Sequence, residues 1–87
     1  MSKHQWNVSF SPVAVRDKYK IARGEAALFR DAVAVLYESS QPEGAMAIAG
    51  APNTFEYARS GYLIAYEVIV DQRTNRIIHF ERQQTTE

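Results

Sequence analysis

The chain has no cysteine, which excludes disulfides and thiolate metal sites and suits a reducing cytoplasm. No apolar run approaches the length of a membrane span, and the first residues, MSKHQWNV, lack the apolar core of a signal peptide. Two widely separated histidines are the whole complement, so neither a metal site nor a metal cofactor is expected. No glycine-rich phosphate loop, HExxH pair or aromatic RNA-stacking signature occurs. Charge of one sign is missing too. Ten basic residues balance ten acidic ones, so no global field draws the chain toward nucleic acid, and contact with RNA or DNA would need a local patch. What remains is an 87-residue chain with 46% hydrophobic residues, read as one domain over residues 1–87 with a modest core.

The strongest pattern is a hairpin over residues 62–82. Its first run places Tyr62, Ile64, Tyr66, Val68 and Val70 on one parity, with Leu63, Ala65, Glu67 and Ile69 on the other. A single charge in nine positions predicts a central strand covered on both faces. The second run alternates Ile78 and Phe80 against Ile77, His79 and Glu81. Residues 71–75 are polar and lack glycine, which predicts a longer loop between the two.

Upstream, Trp6, Val8 and Phe10 alternate as a half-buried strand. Ser11 as N-cap and Pro12 at the first helical position start a helix to about residue 22, with Val15, Tyr19 and Ala22 inward. Gly24 fits the position just past its end. A second helix over residues 25–38 carries an apolar stripe of Leu28, Phe29, Ala32, Val33 and Leu36. Pro42 follows its end. Residues 43–53 read as a loop of small residues pinned by Met46 and Ile48, and residues 54–59 as a strand with Phe55 and Tyr57 on one parity. Ser60 and Gly61 form a tight turn into the main hairpin, and residues 83–87 read as a polar tail. The order is β-α-α-β-β-β, an α+β domain with two helices on a mainly antiparallel four-stranded sheet.

Four segments then resemble the RelE/ParE superfamily of bacterial toxins: residues 6–21 (opening strand, Ser-Pro start, charged helix), the helix from Glu25 followed by Pro42, residues 55–68 (paired strands with Tyr66-Glu67-Val68), and residues 77–82 ending on a basic position. The resemblance covers nearly the whole chain. It implies the toxin of a type II toxin–antitoxin pair, partnered by a cognate antitoxin. In the RelE branch the target is messenger RNA on the ribosome, and in the ParE branch it is DNA gyrase. A third reading is a catalytically degenerate member that binds a partner or dimerises through its aromatic sheet (Tyr57, Tyr62, Tyr66, Phe80).

Cleavage by 2′-OH attack needs a proton acceptor, a phosphate clamp and a proton donor. Arg82 matches the family's basic strand end and suits the clamp. Arg59 lies near the arginine that the family places before the hairpin turn, offset by one position. His79 titrates near neutral pH and is the candidate proton carrier, with Glu56, Glu67 and Tyr66 as further acid–base candidates. Lys18, Lys20 and Arg23 are the candidate RNA-binding patch. Leu63 and Glu56 stand where the family favours basic residues, which withdraws charge from the expected cleft. A gyrase-binding toxin does not need that charge.

Overall fold

The computed structural model describes residues 5–83 of the 87; the expectations for the first four residues and for the tail beyond Gln83 lie outside them. The elements run β1 (Asn7–Phe10), α1 (Pro12–Lys18), a 3-10 turn (Arg23–Glu25), α2 (Ala26–Ala34), a second 3-10 turn (Val35–Tyr37), β2 (Met46–Ala47), β3 (Thr54–Arg59), β4 (Tyr62–Ile69), a third 3-10 turn (Val70–Gln72) and β5 (Thr74–Arg82).

The fold is α+β, as expected, but the sheet has five strands rather than four, in the order β1-β5-β4-β3-β2. The fifth is β2, two residues paired antiparallel with β3 (Met46 opposite Glu56, Ala47 opposite Phe55). So short a strand among alanines and glycines shows no alternation to detect. Met46 is exposed on this edge and pins nothing, while Ile48 is half-buried. All other pairings are antiparallel except β1 with β5, which is parallel (Asn7 opposite Thr74, Phe10 opposite Ile77).

Ser11 starts α1 as the sequence predicts. Its Oγ accepts the Ala14 amide (3.1 Å) and donates to the Ile78 carbonyl (2.8 Å), so one side chain caps the helix and ties it to β5. The helix stops at Lys18, earlier than expected: the Lys20 and Ile21 amides bond only three residues back, to the Asp17 and Lys18 carbonyls, and Ala22 is extended (φ −61°, ψ 144°) and begins a separate turn. Gly24 lies inside that turn and not at a helix end. The inward face also differs. Ala14 is fully buried against the sheet, while Val15 and Tyr19 are exposed. In α2 and the turn after it, Phe29, Ala32, Val33 and Leu36 are buried as read, and Leu28 is exposed at the edge of the stripe.

The core is one layer between the helices and one sheet face: Tyr57, Tyr62, Ile64, Tyr66, Val68, Ile77 and Phe80 from the strands meet Ala14 and the α2 stripe. Phe29 sits at its centre, 4.6 Å from Phe80 and 5.4 Å, edge-on, from Tyr62 (ring centroids). Along β4 buried residues alternate with half-buried ones. Covering on both faces is therefore not found: among the described residues the helices lie on one face, and the side chains of Leu63, Ala65, Glu67 and Ile69 are shielded only by neighbours on the other.

On β5 a bulge changes the parity. Ala65 pairs with His79 but Tyr66 pairs with Ile77, so Ile78 is an extra residue. Ile77 and Phe80 therefore both face the core, and Ile78 leaves the face on which simple alternation would put it. Asn75, fully buried, donates from Nδ2 to the carbonyls of Leu36 (2.7 Å) and Ser39 (3.2 Å) and bolts β5 to the end of the helical segment. The loop before β5 is tied down by Arg73, whose Nε donates to the Gln5 carbonyl (2.9 Å) and whose guanidinium lies over Trp6. Among the described residues no helix is long and apolar enough to cross a membrane.

Candidate functional site

Ser60 and Gly61 both adopt positive φ (56° and 84°), and Arg59 pairs with Tyr62 across them. This is a two-residue turn of the mirror-image type that matches strand twist. Because β4 also pairs Tyr62 with Arg82, the turn lines up Arg59, Tyr62 and Arg82 in one row across three strands. All three share the parity of the core residues Tyr57, Ile64 and Phe80, so the row lies on the helix side of the sheet, at its rim.

Two carboxylates from the helical layer meet this row. The Arg82 Nε donates to Glu25 Oε1 (2.8 Å), and the Tyr62 hydroxyl donates to the same oxygen (3.0 Å). The Arg82 Nη1 donates to the Gly61 carbonyl (2.8 Å) and the Gln83 carbonyl (3.2 Å), and its guanidinium lies 5.5 Å from the Tyr62 ring centre. At the other end of the row, Arg59 Nε donates to the Asp31 carbonyl (3.2 Å) and lies 3.4 Å from the Asp31 carboxylate, which also accepts from the Ser60 hydroxyl. Arg82's hydrogen bond, and then Tyr62's, hold the Glu25 carboxyl below its ordinary range. Burial, and then the Glu25 carboxylate, push the Tyr62 phenol up. The seat of Arg82 depends on Gly61: a Cβ built there would come within 2.0 Å of Arg82 Nη1.

A cleft of about 230 Å³ opens beside Arg82, lined on its polar side by Asp17, Lys20, Glu25, Glu81 and Arg82. The Glu81 carboxylate turns to the opposite face beside His79, which leaves Asp17 and Glu25 against Lys20 and Arg82, so the cleft is not the positive pocket a phosphate clamp alone would suggest.

The other candidates are dispersed. His79 is exposed on the opposite face of the sheet from Arg82, 3.6 Å from the Glu81 carboxylate. Strand alternation beyond the bulge forces this separation, so Arg59 and Arg82 share a face and His79 does not. Glu56 and Glu67 are half-buried on the His79 face. Tyr66 is fully buried, its hydroxyl donates to the Ser40 carbonyl (2.7 Å), and burial pushes its pKa up to about 12. Tyr57 likewise donates to the Ala32 carbonyl, with its pKa raised by burial. Tyr57, Tyr62, Tyr66 and Phe80 are all buried under the helices, so they build the core and cannot form the aromatic dimer surface proposed from the sequence. The basic patch is divided. Lys20 lines the Arg82 cleft, Lys18 lies over the Phe10 ring (4.7 Å) in a separate apolar groove, and Arg23 is exposed in the 3-10 turn.

Sequence reasoning passed over Glu25, Asp31 and the hydroxyl of Tyr62. Glu25 lies 57 residues from Arg82 in the chain, and Tyr62 reads only as a strand apolar position. Nothing local marks either as a partner of the strand end.

No protein-family model and no curated protein sequence matches the chain. Solved structures do. The isolated E. coli RelE toxin is 19% identical, with 94% of this chain and 88% of that one covered at a TM-score of 0.75. The RelBE2 toxin–antitoxin complex of Mycobacterium tuberculosis contains a chain 22% identical, covering 91% of this chain and 99% of that one at 0.74. The archaeal RelE–RelB complex from Pyrococcus horikoshii gives 15% identity, 94% and 99% coverage and a TM-score of 0.69. Two short helices stacked on one face of a five-stranded mixed sheet, with the chain returning in parallel beside its first strand, is thus the fold seen in the RelE toxin structures.

Proposed function

We propose that this chain is the toxin of a type II toxin–antitoxin pair, a RelE-like, metal-independent endoribonuclease that cleaves messenger RNA on the ribosome in the cytoplasm and is neutralised by a cognate antitoxin protein. The observation that carries the reading is the likeness over more than nine-tenths of the chain to RelE in its isolated form and in RelE–RelB complexes. The chemistry is that of 2′-OH attack on phosphorus. Arg82, with Arg59 in the same row, neutralises charge developing on the phosphate. His79, the proton carrier expected from the sequence, stands beside Glu81 on the opposite face and serves that role only toward RNA bound there, not toward a phosphate held by this row. Lys18, Lys20 and Arg23 supply the electrostatic contact to RNA.

One observation favours a second reading. Both arginines of the row are engaged by carboxylates, and acids balance bases in the adjoining cleft. A ParE-like inhibitor that binds DNA gyrase needs no phosphate clamp and tolerates this arrangement. Induced expression in a bacterial host, with protein and DNA synthesis followed separately by pulse-labelling, separates the two. A prompt fall in protein synthesis is the expected result, and mapped messenger-RNA ends would then give the cleavage sites. A fall in DNA synthesis with translation at first intact would move the assignment to gyrase. No effect on either, with folded protein present, would leave only a partner-binding module.

A further inference from the structure

Arg82 is not an open clamp, and the way it is filled suggests how it works. Its Nε and the Tyr62 hydroxyl converge on a single anionic oxygen, Glu25 Oε1, at 2.8 and 3.0 Å. A guanidinium edge and a phenol aimed at one oxyanion are a donor set that a phosphodiester oxygen satisfies equally well. We propose that Glu25 is an internal anion occupying a phosphodiester site, and that an RNA backbone enters this cleft by exchanging with the Glu25 carboxylate. The proposal rests on the nuclease reading for the identity of the ligand and adds the control of that site.

Three features fit exchange. First, Arg82 is anchored from its other side by the carbonyls of Gly61 and Gln83, so the guanidinium keeps its place when the carboxylate leaves. The absence of a Cβ at residue 61 is what permits this seat. Second, Glu25 can leave cheaply. It ends a 3-10 turn next to Gly24 and its side chain is one-third exposed. Rotation about its own side-chain bonds carries it to solvent without disturbing the core. Third, the charge count changes in the right direction. With Glu25 in place, the carboxylates of Asp17 and Glu25 balance Lys20 and Arg82; with Glu25 swung out, one acid faces two bases and the cleft turns net positive, the Glu81 carboxylate lying with His79 on the opposite face.

The test uses the full chain and an uncleavable probe, a single-stranded 2′-O-methyl tetranucleotide, titrated by NMR while the Arg82 Nε–H signal is followed. E25Q is expected to bind the probe about tenfold more tightly than the natural chain, since a charge-assisted competitor becomes a neutral one. E25Q/R82A should return to the affinity of the natural chain or below it. D17N, a charge removal in the same cleft that does not touch Arg82, controls for bulk electrostatics and should change affinity by less than about threefold. Equal affinity for E25Q and the natural chain would overturn the proposal. So would a gain that persists in E25Q/R82A, or one that D17N reproduces. The outcome is separable from the fate of the nuclease reading. If translation continues on induction while E25Q gains affinity through Arg82, the nuclease assignment falls and the exchange site stands; if translation stops and E25Q gains nothing, the reverse holds.

Discussion

Glu25 accepts from both Arg82 and Tyr62, and this has a consequence in acid. Its carboxyl titrates below the ordinary value of 4.5, held there first by the Arg82 hydrogen bond and then by that of Tyr62. A carboxyl whose pKa is depressed in the folded state contributes stability above its unfolded pKa and loses it as pH falls through the folded value. Equilibrium unfolding followed from pH 5 downward should therefore show, in the natural chain, a loss of stability below about 4.5 that E25Q lacks. Parallel curves for the two proteins would mean that the contact does not persist in solution. Tyr62 was legible as a buried strand residue, and Arg82 as the basic strand end. Their meeting at one carboxylate was not legible, because it joins the rim of the sheet to a helical turn far away in the chain.

Strand β5 shows how an element can depart from its own pattern. Period-2 alternation places Ile78 with Phe80 and sets Ile77 outside. The bulge opposite Tyr66 makes Ile77 and Phe80 share the core face, and Ser11 fastens the bulge by accepting into α1 and donating to the Ile78 carbonyl. The two isoleucines, identical in type and adjacent in sequence, separate these arrangements. Ile77→Ala removes a fully buried side chain and is expected to cost about 2–5 kcal/mol by denaturant unfolding. Ile78→Ala, at a half-buried position, should cost less than about half as much. The opposite order would restore the simple alternation. Beyond the bulge the strand alternates as the sequence reads, and His79 lies on the open face, opposite to Phe80, paired with Ala65 and beside Glu81. Helix α1 departs in a similar way. Its cap was readable at Ser11, but its buried contact falls to Ala14, whose small side chain lets the helix backbone approach the sheet closely, and Val15 and Tyr19 turn outward.

Taken together, the protein has one sheet face under its helices and the other bare of them among the described residues, and its candidate chemistry is divided between the two. Arg59 and Arg82 stand at the rim of the covered face, His79 and Glu81 on the open one. This division makes separate substitutions informative. Arg82 and His79 are exposed, so alanine at either position should leave the protein folded, as thermal unfolding will verify. Arg82→Ala is expected to abolish growth arrest on induction, because the phosphate clamp is lost, and His79→Ala to reduce it. Full toxicity in both variants would remove the nuclease assignment and leave the gyrase reading in possession.

By itself the amino-acid sequence determined the α+β class, the order of strands and helices, the Ser11 cap, the two-residue turn at Ser60 and Gly61, and the α2 residues that enter the core. Each of these is written in neighbouring residues, as a period, a cap or a turn preference. Tertiary structure alone decided the fifth strand, the parity of Ile77 and Ile78, and the partnership of Glu25 with Arg82 and Tyr62. Those depend on which backbones pair and which helix lies above which strand, contacts between segments tens of residues apart that no local pattern encodes.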